Sequence, residues 1–139
     1  IEHVKLIVES KKGSIDLSLK AIDSNISGNS NHLENIIINI LDNAVKYSKE
    51  NPKIVVSSTN INKDIRLCFE DNGIGMDKNT QKLIFEKFYR EQNGDIHNIK
   101  GHGLGLSYVK KIIDFHNGKI VLESKKGTGT KFYITLKNI

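Results

Sequence analysis

The sequence predicts a two-layer α/β sandwich, a mixed β-sheet of about five strands covered on one face by about three helices. Two pairs of alternating segments predict the sheet: 53–57 with 64–70, and 119–123 with 130–136. Two segments with apolar residues at three-and-four spacing, 29–47 and 103–116, predict the helical layer. At 139 residues the chain fits one domain and is long enough to bury about two-thirds of its unfolded surface.

Residues 1–10 place Ile1, Val4, Ile7 and Val8 on one helical face, although Val4, Leu6 and Val8 also alternate as a strand would; helix is the reading taken. Ile15 to Leu19 alternates as a half-buried strand, and a second short strand near Asn25 to Ser27 is expected to pair with it at the sheet edge. Asn29, Ser30 and Asn31 are N-cap types, and Leu33, Ile36, Ile37, Ile40, Leu41, Ala44 and Val45 then define a long amphipathic helix to about Tyr47. Asn35, Asn39 and Asn43 follow one another at four-residue intervals, a polar line beside that apolar stripe.

Lys53 to Ser57 and Asp64 to Glu70 read as a hairpin turning through Asn60 to Lys63. Lys78 to Lys87 is a short helical segment carrying Leu83 and Phe85, and residues 90–102 read as a loop, a mobile lid when no ligand is bound. Asn117-Gly118 stops the last helix, and the two final strands are joined through residues 125–129.

Composition excludes several classes. Hydrophobic residues at 37% and charged residues at 27%, with one Pro and no Trp, describe a globular chain rather than a disordered or collagenous one. The net charge of +5 is spread in pairs such as Lys11-Lys12 and Lys110-Lys111, not clustered with aromatics, so nucleic-acid binding is not expected. Cys68 is the only cysteine, which rules out an internal disulfide; its strand setting suggests a small buried side chain in a reducing compartment. No apolar run approaches the ~18 residues of a membrane span. A soluble domain is expected. The five histidines show neither metal-ligand spacing nor a nucleophile partner.

Four short patches recur in order: Asn39-Ile-Leu-Asp-Asn43-Ala44, Asp71-Asn-Gly73-Ile-Gly75, Gly101-His-Gly103-Leu104-Gly105-Leu106 and Gly127-Thr-Gly129-Thr130. Together they spell a nucleotide site. A carboxylate ending a strand beside glycines accepts from a purine amino group while the ring approaches the backbone. Asn amide oxygens suit magnesium, which takes hard oxygen ligands and few of them from protein. Glycines ahead of a helix present unpaired N–H groups and the positive helix end to phosphates. Asp-Asn-Gly alone is ordinary turn chemistry; its companions favour the ligand reading. No Walker A loop and no Gly-x-Gly-x-x-Gly fingerprint is present.

The ordered patches resemble the N, G1, F, G2 and G3 boxes of the catalytic ATP-binding domain of bacterial sensor histidine kinases, over residues 14 to 136. The resemblance implies the Bergerat-type sandwich shared with gyrase, Hsp90 and MutL ATPases. It implies ATP and Mg2+ as ligands, with Asn43 on the metal, Asn39 supporting the metal and phosphate region, Lys46 on a phosphate and Tyr47 flanking the adenosine. Asp71 would hold the adenine amino group, Gly73 and Gly75 would shape its pocket, and Phe85 and Phe88 match the F box. Arg90 resembles the arginine that reaches the terminal phosphate. Gly101, Gly103, Leu104, Gly105 and Leu106 match the lid and helix start, and Gly127, Gly129 and Thr130 match the last box near the base. One departure is Asn29, where the family often carries Asp ahead of the N-box helix.

Gyrase-like hydrolases carry a water-activating Glu where this chain has Asn39. Without that base, transfer to a protein acceptor is favoured over hydrolysis. The acceptor itself is missing, because no histidine here sits in the family's His-Glu-x-x-Thr-Pro context. The resemblance therefore implies one catalytic domain over 1–139, with 1–12 as the end of a linker from a dimerisation domain, in a parent protein that is homodimeric and membrane-anchored. Its catalytic domain would face the cytoplasm, and its partners would be that histidine-bearing domain and a response-regulator receiver. An anti-sigma-type serine kinase, or an ATP-dependent interaction module without transfer, are the alternatives.

Overall fold

The computed structural model describes residues 2–86 and 105–139. Four helices and five strands follow in the order α1 (Glu2–Ser10), β1 (Ser14–Leu19), α2 (Ser30–Lys46), β2 (Lys53–Ile61), β3 (Asp64–Asp71), α3 (Lys78–Leu83), α4 (Gly105–Phe115), β4 (Lys119–Lys125) and β5 (Gly129–Leu136). The strands form one sheet in the order β1-β2-β3-β5-β4. β1 runs parallel to β2, with α2 as the crossover that a parallel pair requires, and every other pairing is antiparallel. The mixed two-layer sandwich expected from the sequence is the one observed.

Strand alternation assigns the two faces. Ile54 of β2, Phe69 of β3 and Phe132, Ile134 and Leu136 of β5 point toward the helices and are buried. Against them pack Val4 and Val8 of α1, Ile36, Ile40, Leu41, Ala44 and Val45 of α2, and Leu106, Val109, Ile112 and Ile113 of α4. Three helices thus cover the sheet, and α3 sits at one end, its following residue Phe85 packed edge-on against Phe132 with ring centroids 6.4 Å apart. The other face stays open, with a Lys131–Glu70 ion pair at 3.0 Å and Arg66 over the Tyr133 ring.

Local chemistry sets the helix ends. Asn29 caps α2, its Oδ1 accepting from the Asn31 N–H at 2.9 Å, so the amide satisfies one of the unpaired N–H groups of the first turn. The stop after α4 is a Schellman motif in which the Gly118 N–H donates to Ile113 O and the Asn117 N–H to Asp114 O. The left-handed residue is Asn117, at φ 52°, rather than the glycine. Gly118 serves close packing instead, since a Cβ there would lie 2.7 Å from Thr135 O.

Two expectations are corrected. No strand forms near residues 25–27. After Lys20 the chain leaves the sheet edge and is held by the Asn60 side chain, which accepts from the Ile22 N–H at 2.9 Å and donates to Asp23 O at 2.6 Å. Side-chain bonds have replaced a ladder. Cys68 is not a core residue: β3 turns Ile65, Leu67 and Phe69 inward, so the residue between them faces outward beside its cross-strand partners Ser57 and Tyr133. Partial burial there pushes its thiol above the ordinary range, with the Glu70 carboxylate adding to the effect.

Candidate functional site

The C-terminal half of α2, the segment after β3, the start of α4 and the β4–β5 turn converge at one end of the sandwich. The convergence is enforced by backbone contacts. Tyr47, the C-cap of α2, offers its carbonyl to the Ile74 N–H at 3.0 Å, and Ile74 O in turn accepts from the Gly127 N–H at 2.6 Å. Lys49 Nζ donates to Gly127 O at 2.5 Å. Two glycines make the approach feasible. A Cβ on Gly75, which sits at φ +64°, would fall 2.0 Å from Lys125 O, and one on Gly129, at φ +135°, would fall 2.0 Å from Asp71 O. No larger residue fits either place.

Asp71 ends β3 on its helix-facing side, directly across from Thr130 of β5. Its Oδ1 accepts from the Gly73 N–H at 2.8 Å, an Asx turn that points the carboxyl into the angle between the sheet and the end of α2. A Cβ on Gly73 would collide with that oxygen at 2.7 Å and with Tyr47 O at 2.6 Å. Burial raises the Asp71 carboxyl above the usual carboxylate range, opposed by hydrogen bonds from the Gly73 and Thr130 N–H groups and reinforced by neighbouring Glu70. A half-buried acceptor with spare lone pairs is what an exocyclic amino group requires.

On α2, the Asn39 Nδ2 group donates to Asn35 O one turn earlier, at 2.7 Å. That bond commits the nitrogen and leaves Oδ1 as the outward atom, facing Gly105 at the first turn of α4. Half-buried Asn43 makes no side-chain hydrogen bond among the described residues. Asn39 thus presents its amide oxygen toward the positive end of another helix, and Asn43 stands one turn further along the same face of α2; amide oxygens are ligands of the hard kind that Mg2+ takes together with phosphate oxygens and water. Among the described residues no cluster of three His, Cys, Asp or Glu side chains is available to a metal. Lys46 extends from the last turn of α2, its Nζ 5.2 Å from the Tyr47 ring centroid.

The structure therefore brings together Asn39, Asn43, Lys46, Tyr47, Asp71, Gly73, Gly75, Gly105 and Thr130. Phe85 and Leu106 pack against the hydrophobic core. Phe88, Arg90, Gly101, Gly103, Leu104 and the expected lid lie outside the described residues.

Sequence reasoning missed the second tier. Ser124 Oγ accepts from the Met76 N–H at 2.8 Å, and Gln81 Nε2 donates to both Met76 O and Ser124 O at 3.0 Å. Asn72 Oδ1 accepts from the Lys53 N–H at 2.8 Å, carrying the β2–β3 ladder past its end. A signal for Ser124 was present: it continues the inward parity of Ile120 and Leu122, so a hydroxyl stands where the pattern calls for an apolar residue. A shallow groove of about 270 Å3 joins this site to the open face of the sheet: Asp71, Ser124, Gly129 and Thr130 line it together with Glu70, Glu123, Lys125 and Lys131, whose side chains alternate to that face.

Comparison with known proteins adds an independent line. Residues 28–138 match the family described as histidine kinase-, DNA gyrase B- and HSP90-like ATPases. The sensor protein RprX of Bacteroides fragilis is 44% identical over 138 residues, which is 98% of this chain and 27% of that protein. This chain spans little more than a quarter of the length of curated relatives that it matches. Among solved structures, a mycobacterial sensor histidine kinase, MprB, superposes with a TM-score of 0.78 at 25% identity, covering 99% of this chain and 92% of that one. Full-length ShkA, crystallised with AMPPNP, reaches a TM-score of 0.84 at 22% identity, over 99% of this chain and 28% of ShkA, a likeness of fold.

Proposed function

This chain belongs to the family of histidine kinase-, DNA gyrase B- and HSP90-like ATPases, and from that premise we propose that it is the catalytic ATP-binding domain of a bacterial sensor histidine kinase. The observation that carries the reading is the convergence of Asp71 with Asn39 and Asn43 at one end of the sandwich. One half-buried acceptor awaits an amino-purine, and the Asn39 amide oxygen, with Asn43 one turn further along α2, stands beside a helix N-terminus suited to phosphate. A purine between Asp71 and Gly73 directs its phosphates along the end of α2 toward Gly105. Asn39 and Asn43 are the residues that would hold Mg2+, which when bound neutralises phosphate charge and aligns the terminal phosphoryl group. Lys46 and Arg90 supply further positive charge along that path.

The residue at position 39 selects the reaction. An amide is neither a base nor a proton carrier, so it does not activate water, and the γ-phosphoryl group survives until an acceptor arrives. That acceptor is a histidine of a dimerisation domain in the same full-length protein, whose ring nitrogen takes the phosphoryl group as ADP leaves. The phosphoryl group then passes to a receiver domain of a response regulator. Residues 1–139 act as one catalytic domain, with 1–12 leading in from the dimerisation domain and α1 fixed to the body by Val4 and Val8. The parent protein is a membrane-anchored homodimer whose catalytic domain faces the ATP of the cytoplasm.

Two measurements test this. Titration calorimetry should give ATP binding that strengthens with Mg2+, and addition of a purified histidine-bearing helical domain should produce acid-labile phosphate on that domain. Mg2+-independent binding, or acid-stable phosphate, overturns the assignment.

A further inference from the structure

Ser124 carries three hydrogen bonds in a pattern with one solution. Its Oγ accepts from the Met76 N–H at 2.8 Å, lies 2.9 Å from Gly129 O, and lies 2.9 Å from Thr130 Oγ1. A hydroxyl has one proton and two lone pairs. Gly129 O has no proton to give, so the Ser124 proton goes there. The remaining contact must then be made by the Thr130 proton, donated to Ser124. With its proton committed, Thr130 Oγ1 has only acceptor capacity left.

Thr130 is 6% exposed and lies directly across the β3–β5 ladder from Asp71, on the same face. Resting on the nucleotide reading above, we propose that Ser124 is a positioning residue for base selection. By holding the Thr130 proton it makes the end of the base pocket acceptor-only, a pair formed by the Asp71 carboxylate and Thr130 Oγ1. That pair suits the two N–H bonds of a 6-amino purine and opposes the carbonyl oxygen of a 6-oxo purine, for which no proton is on offer. Met76 and Gln81 brace the arrangement, since Gln81 ties Met76 O to Ser124 O and keeps the segment after β3 seated on β4.

The test compares ATP with inosine triphosphate, in which a 6-oxo group and an N1–H replace the 6-amino group and the bare N1, by calorimetry on the intact chain with Mg2+. Ser124→Ala frees the Thr130 hydroxyl to rotate and donate, so preference for ATP over inosine triphosphate should fall about tenfold. Ser124→Thr keeps the hydroxyl and should retain the wild-type preference. Thr130→Val, which leaves the Ser124 bonds to Met76 and Gly129 intact, should lower the preference by a similar factor; it tests the idea even if Ser124→Ala does not fold. In the double variant Ser124→Ala/Thr130→Val the loss should be no greater than in Thr130→Val alone. Equal weakening of both nucleotides by Ser124→Ala, or additive losses in the double variant, overturns the proposal and leaves a structural role. A wild-type chain that binds neither nucleotide instead overturns the nucleotide reading beneath it.

Discussion

Asn39 Oδ1 and Gly105 face each other so closely that a Cβ added to Gly105 would lie 3.1 Å from the amide oxygen. The contact joins the polar line of α2 to the start of α4, two stretches more than sixty positions apart in sequence. Asn39 cannot retreat easily, because its nitrogen is held by Asn35 O. Gly105→Ala should therefore push the Asn39 oxygen out of line and weaken Mg2+-dependent nucleotide binding about tenfold, a cost of about 1.4 kcal/mol. Alanine is also the better helix former, so the melting temperature should hold or rise slightly. Calorimetry and a thermal melt on the same sample check both halves; unchanged affinity refutes the link between the two residues.

Asp71→Asn should abolish ATP binding, since it replaces half of a carboxylate acceptor with a donor. For the wild type, pH offers a finer test. Burial raises the folded-state pKa of Asp71, so its ionised form is the costly one, and its contribution to apo stability is greatest below the unfolded pKa and lost as pH rises through the folded value. Nucleotide binding runs the opposite way, because the amino group needs the ionised carboxylate. ATP affinity should fall toward tenfold per pH unit once the pH drops below the folded pKa, which lies above the usual Asp value of about 3.9. A flat affinity from pH 7 to pH 4 removes Asp71 from the base pocket.

Gly75 and Gly127 both have positive φ, +64° and +84°, yet their surroundings differ. A Cβ on Gly75 strikes the Lys125 backbone at 2.0 Å, whereas one on Gly127 meets nothing within 4 Å. Gly127→Ala should cost only the left-handed backbone penalty, about 1–2 kcal/mol. Gly75→Ala adds a backbone collision that no rotamer relieves, for a total of at least about 3 kcal/mol, and should separate the segment after β3 from the β4–β5 turn. Chemical denaturation of the two variants side by side decides it; equal losses show that the turn shifts freely.

Local chemistry was what the sequence made legible. The N-cap at Asn29, the apolar stripe from Leu33 to Val45 and the two hairpins rest on interactions within a few residues, and each appears where its pattern says, except that β2 runs on through Asn60 and Ile61, which the sequence pattern assigns to the turn. The face of a strand was legible too, although Cys68 shows that the parity must be counted from its neighbours rather than from residue type. Pairings between distant segments were not legible. The Asn60 side chain, thirty-seven residues from Asp23, takes the bonds that a strand near Asn25 would have needed. In the same way Asn39, Asp71 and Thr130 carry their chemistry in short patches, but Ser124 and Gln81 matter only through carbonyls and N–H groups that folding brings to them.

The asparagine line on α2 yields the last test, because its members differ in what holds them. Asn35 serves the site through its backbone carbonyl, which accepts from Asn39, while among the described residues its exposed side chain reaches only the Tyr108 hydroxyl at 3.5 Å. Asn35→Ala keeps that carbonyl, so Mg2+-dependent binding should stay within about twofold of wild type. Asn43 is different: its half-buried amide makes no bond among the described residues and stands one turn beyond Asn39 on the same face of α2. Asn43→Ala should leave Mg2+-free nucleotide affinity nearly unchanged and abolish most of the gain that Mg2+ confers, about tenfold or more for one hard ligand. Magnesium titrations at fixed nucleotide separate the two cases. An Asn43→Ala variant with an unaltered magnesium response, or an Asn35→Ala variant that loses it, would move the metal position along the helix and refute the assignment.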